Sequence, residues 1–449
     1  MSLPPVVKLL PHQQWQLVSQ PRAFTDWLRA AHGPLVNLNV RGEPYVLVLS
    51  AEGARQVLSA DPLGYDAFFK ESFTGLGGPA SLWVLGGQAH HRERQLLAPA
   101  FHARAFRAYG DLIRSIARAH LERWQPGRPF RALEATLDLS LDVIMRVVFG
   151  PDDTELVSDG RALIAGLLPT VHPLIVFVPQ LQRRWFPLWN RFARRRDAFW
   201  AWCRRYLAAR RAQPGRTDDL VGLLLAARYD DGSPMTDAAI GDQLITVVMA
   251  GHETTATALA WALYELGRHP AILARLRAEI DAAGPDVDPL QITRLPYLTA
   301  VCNETLRLHT LLAEVPRLCV APLDCLGYTL PAGYAVSVSI MAVHHDPALY
   351  PEPDRFLPER FLERTYTAFE FLPFGGGDRR CLGAGLSDFE MRIALAEIVT
   401  HWDFEPARVE QEIRHDIAMG PKAGVPLRLL DRRAPAPAAM DALAERPYA

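Results

Sequence analysis

One mainly α-helical domain with a small β portion is what this 449-residue sequence predicts, and three observations predict it. Apolar residues recur at three- and four-residue spacing through most of the chain beyond residue 88. Strand-like runs are few and short. No Gly/Ser-rich linker or internal repeat divides residues 1–430, so a single domain is expected there, with the Pro-Ala-containing stretch 431–449 as a flexible tail.

Taken in order, Leu35–Val40 and Tyr45–Leu49 read as a hairpin around Arg41-Gly42-Glu43-Pro44. Helical periodicity then covers Ala89–Trp124, Leu133–Phe149, Arg191–Gln213 and Thr236–His269, each bounded by Pro or Gly breaks. At the usual rise per residue the last of these is ~50 Å long. Helices Ala271–Ala283 and Tyr297–Leu311 follow, then short strands around Arg317–Val320 and Ala335–Ile340. A Pro-rich irregular passage, Asp346–Pro373, leads into a glycine cluster and a last helix, Ala384–Trp402.

Composition narrows the class. Hydrophobic residues make up 49% and charged residues 22%, which excludes a disordered or collagen-like chain. A net charge of −2 gives no overall attraction to nucleic acid. The five cysteines (Cys203, Cys302, Cys319, Cys325, Cys381) are odd in number and form no C-x-x-C pair, so neither a disulfide framework nor a four-thiolate zinc site is indicated. The N-terminal segment has no signal-peptide core, and the apolar run Ala162–Pro179 is interrupted by Pro169, His172 and Pro173. A cytoplasmic protein without a transmembrane anchor is expected. The arginine-rich stretch from Arg183 to Arg216, interleaved with Trp185, Trp189, Trp200 and Trp202, has two readings: an amphipathic helix with its tryptophans inward, or weak peripheral contact with an anionic membrane. A third, nucleic-acid binding, leaves the motifs below unexplained.

Three motifs carry chemistry. The first is Phe374-Gly375-Gly376-Gly377-Asp378-Arg379-Arg380-Cys381-Leu382-Gly383, ahead of the last helix. A thiol there sits among free amide protons beside two arginines, which favours the thiolate and suits it to bind metal. The glycines let a flat ligand approach the backbone, and Phe374 can cover one side of the sulfur. The second is Ala250-Gly251-His252-Glu253-Thr254-Thr255, mid-way along the longest helix. Gly251 weakens that helix, and the Thr254 hydroxyl can return a bond to the Ala250 carbonyl, so a local bend is expected. An adjacent carboxylate and hydroxyl can pass protons to something bound against that face. The third is Glu304 and Arg307, three apart on one helix face. Alone, each has an ordinary reading: a structural cysteine, incidental threonines, a surface ion pair.

Together they resemble the cytochrome P-450 superfamily in its soluble bacterial form. The first string matches F-x-x-G-x-R-x-C-x-G, the second A-G-x-[DE]-T-T, the third E-x-x-R, completed by Arg360 in Pro358-Glu359-Arg360-Phe361. The resemblance spans residues ~20–430 and implies a large triangular fold with haem between the long oxygen-binding helix and the last helix. Cys381 would be the axial thiolate, and Glu253 and Thr254 the acid–alcohol pair delivering protons to dioxygen. Glu304, Arg307 and Arg360 would form a buried network bracing the cysteine loop. His90, Arg94, Arg317 and Arg379 would be the cationic partners of the haem propionates, with Phe374, Gly375, Gly383 and Ala250 against the cofactor. One departure is Thr310, where many members have proline.

By the same resemblance the substrate cavity is walled by Phe73, Trp83, Val247, Leu311, Leu312, Val315 and Met419, apolar residues that favour a small hydrophobic molecule such as a terpenoid, steroid or fatty acid. Glu314 is the charged candidate, either orienting a substrate or pairing with an arginine. Ala162–Pro179 falls at the family's entrance lid. Expected cofactors are haem b and O2, with electrons from NAD(P)H through separate redox proteins. Seven arginines against three carboxylates between His90 and Arg123, with Arg379 and Arg380, would dock an acidic ferredoxin or flavodoxin and its reductase on the thiolate side. The expected activity is a haem-thiolate monooxygenase that hydroxylates or epoxidises. Alternatives are a relative that couples or rearranges its substrate, or one that only binds a ligand.

Overall fold

A computed structural model describes residues 3–40, 43–101, 103–150, 154–212, 219–285, 287–415 and 417–433. Its centre is the helix Asp237–Arg268. Thr236 starts it by accepting the Ala239 N–H at 3.2 Å, and Pro270 opens the next helix directly after the His269 cap. Over most of its length this helix is buried all round, Leu244, Ile245, Val248, Leu259 and Leu263 being inaccessible. It packs against the helices Ala132–Phe149 and Ala384–His401, which place the first two motifs in one region.

The β portion gathers at one side. Six strands run in the order Val6–Val7, Leu35–Val40, Glu43–Val48, Ala335–Ser339, Glu314–Cys319, Tyr65–Asp66. The expected hairpin is present, with Leu35 opposite Val48, and its Arg41-Gly42 turn lies outside the described residues. A second sheet joins Trp402–Pro406, Pro426–Arg432 and Phe130–Arg131, and Glu412–Arg414 pairs with Met419–Pro421.

Several boundaries differ for local reasons. The stretch expected as one helix over Ala89–Trp124 is Gly87–Leu97, a tight turn at Ala98–Phe101, then Ala103–Leu121. Pro99 lacks the N–H that would continue the first helix. The arginine-rich helix starts earlier, at Pro187, a residue favoured in the first turn, and runs to Arg211; Gln213 and Arg216 lie outside the described residues. The helix expected over Tyr297–Leu311 is Pro296–Leu308, beyond which Thr310 returns its hydroxyl to the Arg307 carbonyl at 3.2 Å. Within Asp346–Pro373 only Arg360–Glu363 forms a helical turn. The last strand reaches Arg432, and the tail from 434 onward lies outside the described residues. Among the described residues no helix is long and apolar enough to cross a membrane.

Candidate active site

The cysteine loop closes on itself, the Cys381 N–H donating to the Phe374 carbonyl at 2.9 Å. Gly375 and Gly377 adopt φ of +64° and +67°, the left-handed conformation that glycine takes without strain. Arg380 lies over the Phe374 ring, 5.9 Å from its centroid. Cys381 keeps accessible surface although protein surrounds it. Here one expectation is corrected. Burial pushes the Cys381 thiol pKa up, outweighing the Gly383 N–H and the charges of Arg380 and Arg94, which pull it down. Spacing along the chain shows the arginines and not the desolvation.

On the long helix, Ala250 and Glu253 are exposed and Val247, Gly251 and Thr254 half-buried, while Val248, His252 and Thr255 are buried. An accessible window thus opens between the buried stretches on either side of it. Within it the Thr254 hydroxyl donates to the Ala250 carbonyl at 2.9 Å. The next residue, Thr255, meets Ser387 of the last helix at 3.0 Å, which fixes the window's height relative to the cysteine loop. The helix runs unbroken through the motif.

Arg94, Arg317 and Arg379 form a cationic rim. Burial lowers all three pKa values, that of Arg317 to about 10, and a neighbouring arginine adds to each, Arg380 for Arg94, Arg379 for Arg317 and Arg94 for Arg379; as guanidiniums they stay charged at neutral pH. Among the described residues Arg317 donates a side-chain hydrogen bond only to its neighbour's carbonyl, on Pro316, at 3.0 Å, and Arg379 donates to the Leu85 carbonyl. His90 differs from expectation. It is buried 3.3 Å from Asp378, and burial, helped by Arg379, lowers its pKa to about 4. It is therefore a neutral imidazole that offers a hydrogen bond rather than a charge.

The third motif is wholly internal. Glu304 and Arg307 are inaccessible and joined by two hydrogen bonds of 2.7 and 2.8 Å, and Arg360 reaches the same carboxylate at 3.1 Å.

Of the cavity candidates, Phe73 and Trp83 pack ring to ring at 5.1 Å, and Val247 and Leu311 border the same main core. Leu312 and Val315 border the sheet's core instead, and Met419 packs with Ala313 and Met341. Glu314 is occupied: it accepts the Tyr45 hydroxyl at 3.1 Å and lies 3.8 Å from Arg414, so of its two readings the arginine pairing is the one present. The lid segment forms Glu155–Leu167, a turn at Leu168–Thr170, and Pro173–Phe177, and Gln182 ties it down by donating to the carbonyls of Ser72 and Ile175, both at 2.8 Å. The thiolate-side charge is smaller than counted, because Arg114 and Arg118 turn to Glu397 at 3.3 and 2.9 Å. Arg92, Arg123 and Arg380 stay exposed, and the side chains of Arg104 and Arg107 lie outside the described residues.

Two positions matter that sequence reasoning passed over. Asp378 sits inside the cysteine motif and is the acid that pairs His90; its place in the string was the available signal. His344 gave no local signal: buried beside Arg307, it accepts the Leu372 N–H at 2.8 Å, two residues before Phe374.

These residues fit a haem. Cys381 and the Ala250–Thr254 window both keep accessible surface, and at Gly383 no protein atom comes within 4 Å of where a Cβ would stand. Three guanidiniums brought together with few carboxylates suit a dianionic edge such as two propionates. The family model for cytochrome P450 matches residues 2–426. Cytochrome P450 138 of Mycobacterium tuberculosis, itself named only provisionally, is 33% identical over 439 residues, 94% of this chain and 96% of its own. Cytochrome P450 135B1 of the same organism, named in the same way, is 35% identical over 96% of this chain and 92% of its own. Among solved structures, retinoic acid-bound cyanobacterial CYP120A1 superposes with a TM-score of 0.83 at 25% identity, covering 95% of this chain and 99% of its own. The haem domain of cytochrome P450DA has the same fold, with a TM-score of 0.82 at 22% identity over 96% and 98% of the two chains. Fold, motif geometry and relatives agree that this chain belongs to the cytochrome P450 family of haem-thiolate monooxygenases.

Proposed function

We propose that this chain is a single-domain monooxygenase of the cytoplasm that uses haem b, O2 and electrons from NAD(P)H to hydroxylate or epoxidise a hydrophobic substrate of the terpenoid, steroid or fatty-acid type. The observation that carries this reading is the Glu253–Thr254 pair in the accessible window midway along the long helix, with Thr254 already back-bonded to Ala250. When bound, haem would supply the redox chemistry; Cys381 would hold it, and Arg94, Arg317, Arg379 and the neutral His90 would meet its carboxylates. The chain's part is to place protons. The Thr254 hydroxyl spends its own proton on the Ala250 carbonyl, which leaves its oxygen lone pairs as acceptors facing the window. Glu253, one residue away and exposed, is the carboxyl from which a proton can be relayed.

Apolar wall candidates support a greasy substrate, and the cyanobacterial neighbour holds retinoic acid, an isoprenoid carboxylic acid. The test is the visible spectrum of the reduced protein under carbon monoxide, where a strongly red-shifted Soret band is expected. An unshifted band, or well-folded protein that takes up no haem, overturns the proposal. Thr254→Ala should keep haem and ligand binding while product formation falls by ~10²-fold, the lower end for a lost proton-transfer group, with peroxide made in its place. Unchanged coupling of electrons to product would remove Thr254 from this role.

Electrons would arrive at the exposed arginines Arg92, Arg123 and Arg380 from an acidic ferredoxin or flavodoxin. Exposed charge pairs are screened, so reduction should slow steadily as salt rises from low ionic strength, and a salt-independent rate would exclude this docking mode. On the arginine-rich helix Trp189 and Trp202 are buried, which favours the amphipathic reading, while Trp185, 72% exposed beside Arg183 and Arg184, is the residue a weak membrane contact would use.

A further inference from the structure

A second charged cluster lies outside the haem site. His309, just beyond the Pro296–Leu308 helix, stacks on Trp261 with ring centroids 3.9 Å apart and planes 4° from parallel. Its Nε2 is 2.9 Å from Glu265 Oε1, and its Nδ1 is 3.8 Å from Glu412 Oε1. Both ring nitrogens therefore point at carboxylates, and only the imidazolium can donate from both. The Glu412 Oε1 atom is buried and makes no hydrogen bond of its own, so this ring is its counter-charge. Burial works against the cation, but the hydrogen bond to Glu265 and the charges of Glu265 and Glu412 outweigh it and raise the His309 pKa above its ordinary value. Stacking on the indole face favours the same form.

The cluster joins three pieces of chain. Trp261 and Glu265 belong to the long helix; His309 leads into the segment carrying Leu311; Glu412 opens the strand pair that ends in Met419–Pro421. Met419 in turn donates its N–H to the Leu311 carbonyl at 2.8 Å. Surrounding charges do not replace the clasp. His269 lies 3.4 Å from the other oxygen of Glu265, Arg22 acts on Glu412 only through space, Arg414 pairs with Glu314, and Arg307 is committed to Glu304.

We infer that His309, clasped as an imidazolium between Glu265 and Glu412, is a positioning residue that holds the Met419 strand pair against the Leu311 segment, so that ligand affinity in the cavity falls as pH rises. The inference rests on the proposed function only in taking Leu311 and Met419 as cavity wall. A raised pKa means that the clasp is complete below the ordinary histidine range and is lost as pH climbs through the folded value. Two carboxylates are then left without the cation between them, and the strand pair loosens.

The probe is 4-phenylimidazole, an azole that binds haem iron and fills the space above it, titrated by visible difference spectra on the haem-loaded protein from pH 6 to 9.5. The parent should lose about tenfold in affinity across the His309 midpoint. Glu412→Gln removes one carboxylate from a partly exposed position and should move that midpoint to lower pH, with the probe's own ionisation common to both proteins. The His309 ring, followed by NMR in histidine-labelled full-length protein, should titrate at the same midpoint. Identical midpoints in parent and Glu412→Gln, or a ring neutral at pH 7, would overturn the inference. Absence of any azole response would overturn the proposed function instead, and the ring titration then decides the clasp by itself.

Discussion

Glu304→Gln should cost about 3 to 5 kcal/mol of stability, the range found when one partner of a buried ion network is removed. Glu304 accepts four N–H groups: two from Arg307, one from Arg360 and the backbone N–H of Leu357 at 2.9 Å. An amide of the same size keeps one acceptor oxygen and turns an NH2 toward guanidinium donors. The loss then spreads. Arg307 also donates to the carbonyls of His344, Pro353 and Arg355, and Arg360 to those of Pro351 and Glu352, so the triad orders an irregular, Pro-rich passage that has almost no secondary structure of its own. Burial and Arg307 together lower the His344 pKa to about 3, which keeps its ring neutral and free to accept the Leu372 N–H ahead of the cysteine loop. Urea unfolding and haem content per chain should therefore fall together. A Glu304→Gln protein with parent-like stability and haem content would exclude the triad as the loop's support.

How far the sequence was legible follows from distance along the chain. The long helix was bounded within one residue at each end because Thr236 and the His269-Pro270 step are local signals. The helix break at Ala98–Phe101 was missed because apolar periodicity continues on both sides of Pro99. Three motifs could be placed because each is contiguous or repeats at helical spacing. Contacts between remote segments had no such signal. Glu314 meets Tyr45 across 269 positions, and the Glu265–His309–Glu412 clasp joins three elements whose spacing is unrelated to any periodicity. The Cys381 and His90 protonation states were misread for one reason: neighbouring charges are visible in a sequence, whereas removal from water is a property of the packed chain.

Gly377→Ala is the second substitution with a large expected effect, and it tests how the sheet side supports the cysteine loop. At φ +67° any side chain meets backbone strain, typically about 1 to 2 kcal/mol. A Cβ at this position would also stand 2.1 Å from the Leu58 carbonyl oxygen, a backbone atom that no rotamer change can move away. Leu58 ends the helix Ala51–Leu58 and belongs to the buried cluster beneath the six-stranded sheet. The loop must therefore lift off its support, carrying Arg379 and Cys381 with it, and haem retention should drop together with stability. Gly383 is the contrasting position: its φ is −83° and a Cβ there meets no protein atom within 4 Å. Gly383→Ala should leave the stability of the haem-free chain unchanged, so any loss of haem in that variant reports contact with the ligand rather than with the fold. Equal haem content and equal unfolding midpoints in Gly377→Ala and the parent would show that the Leu58 contact does not set the loop's height, and the bracing of Cys381 would then have to come from the His344–Leu372 bond and the loop's own bonds to Phe374 and Leu85.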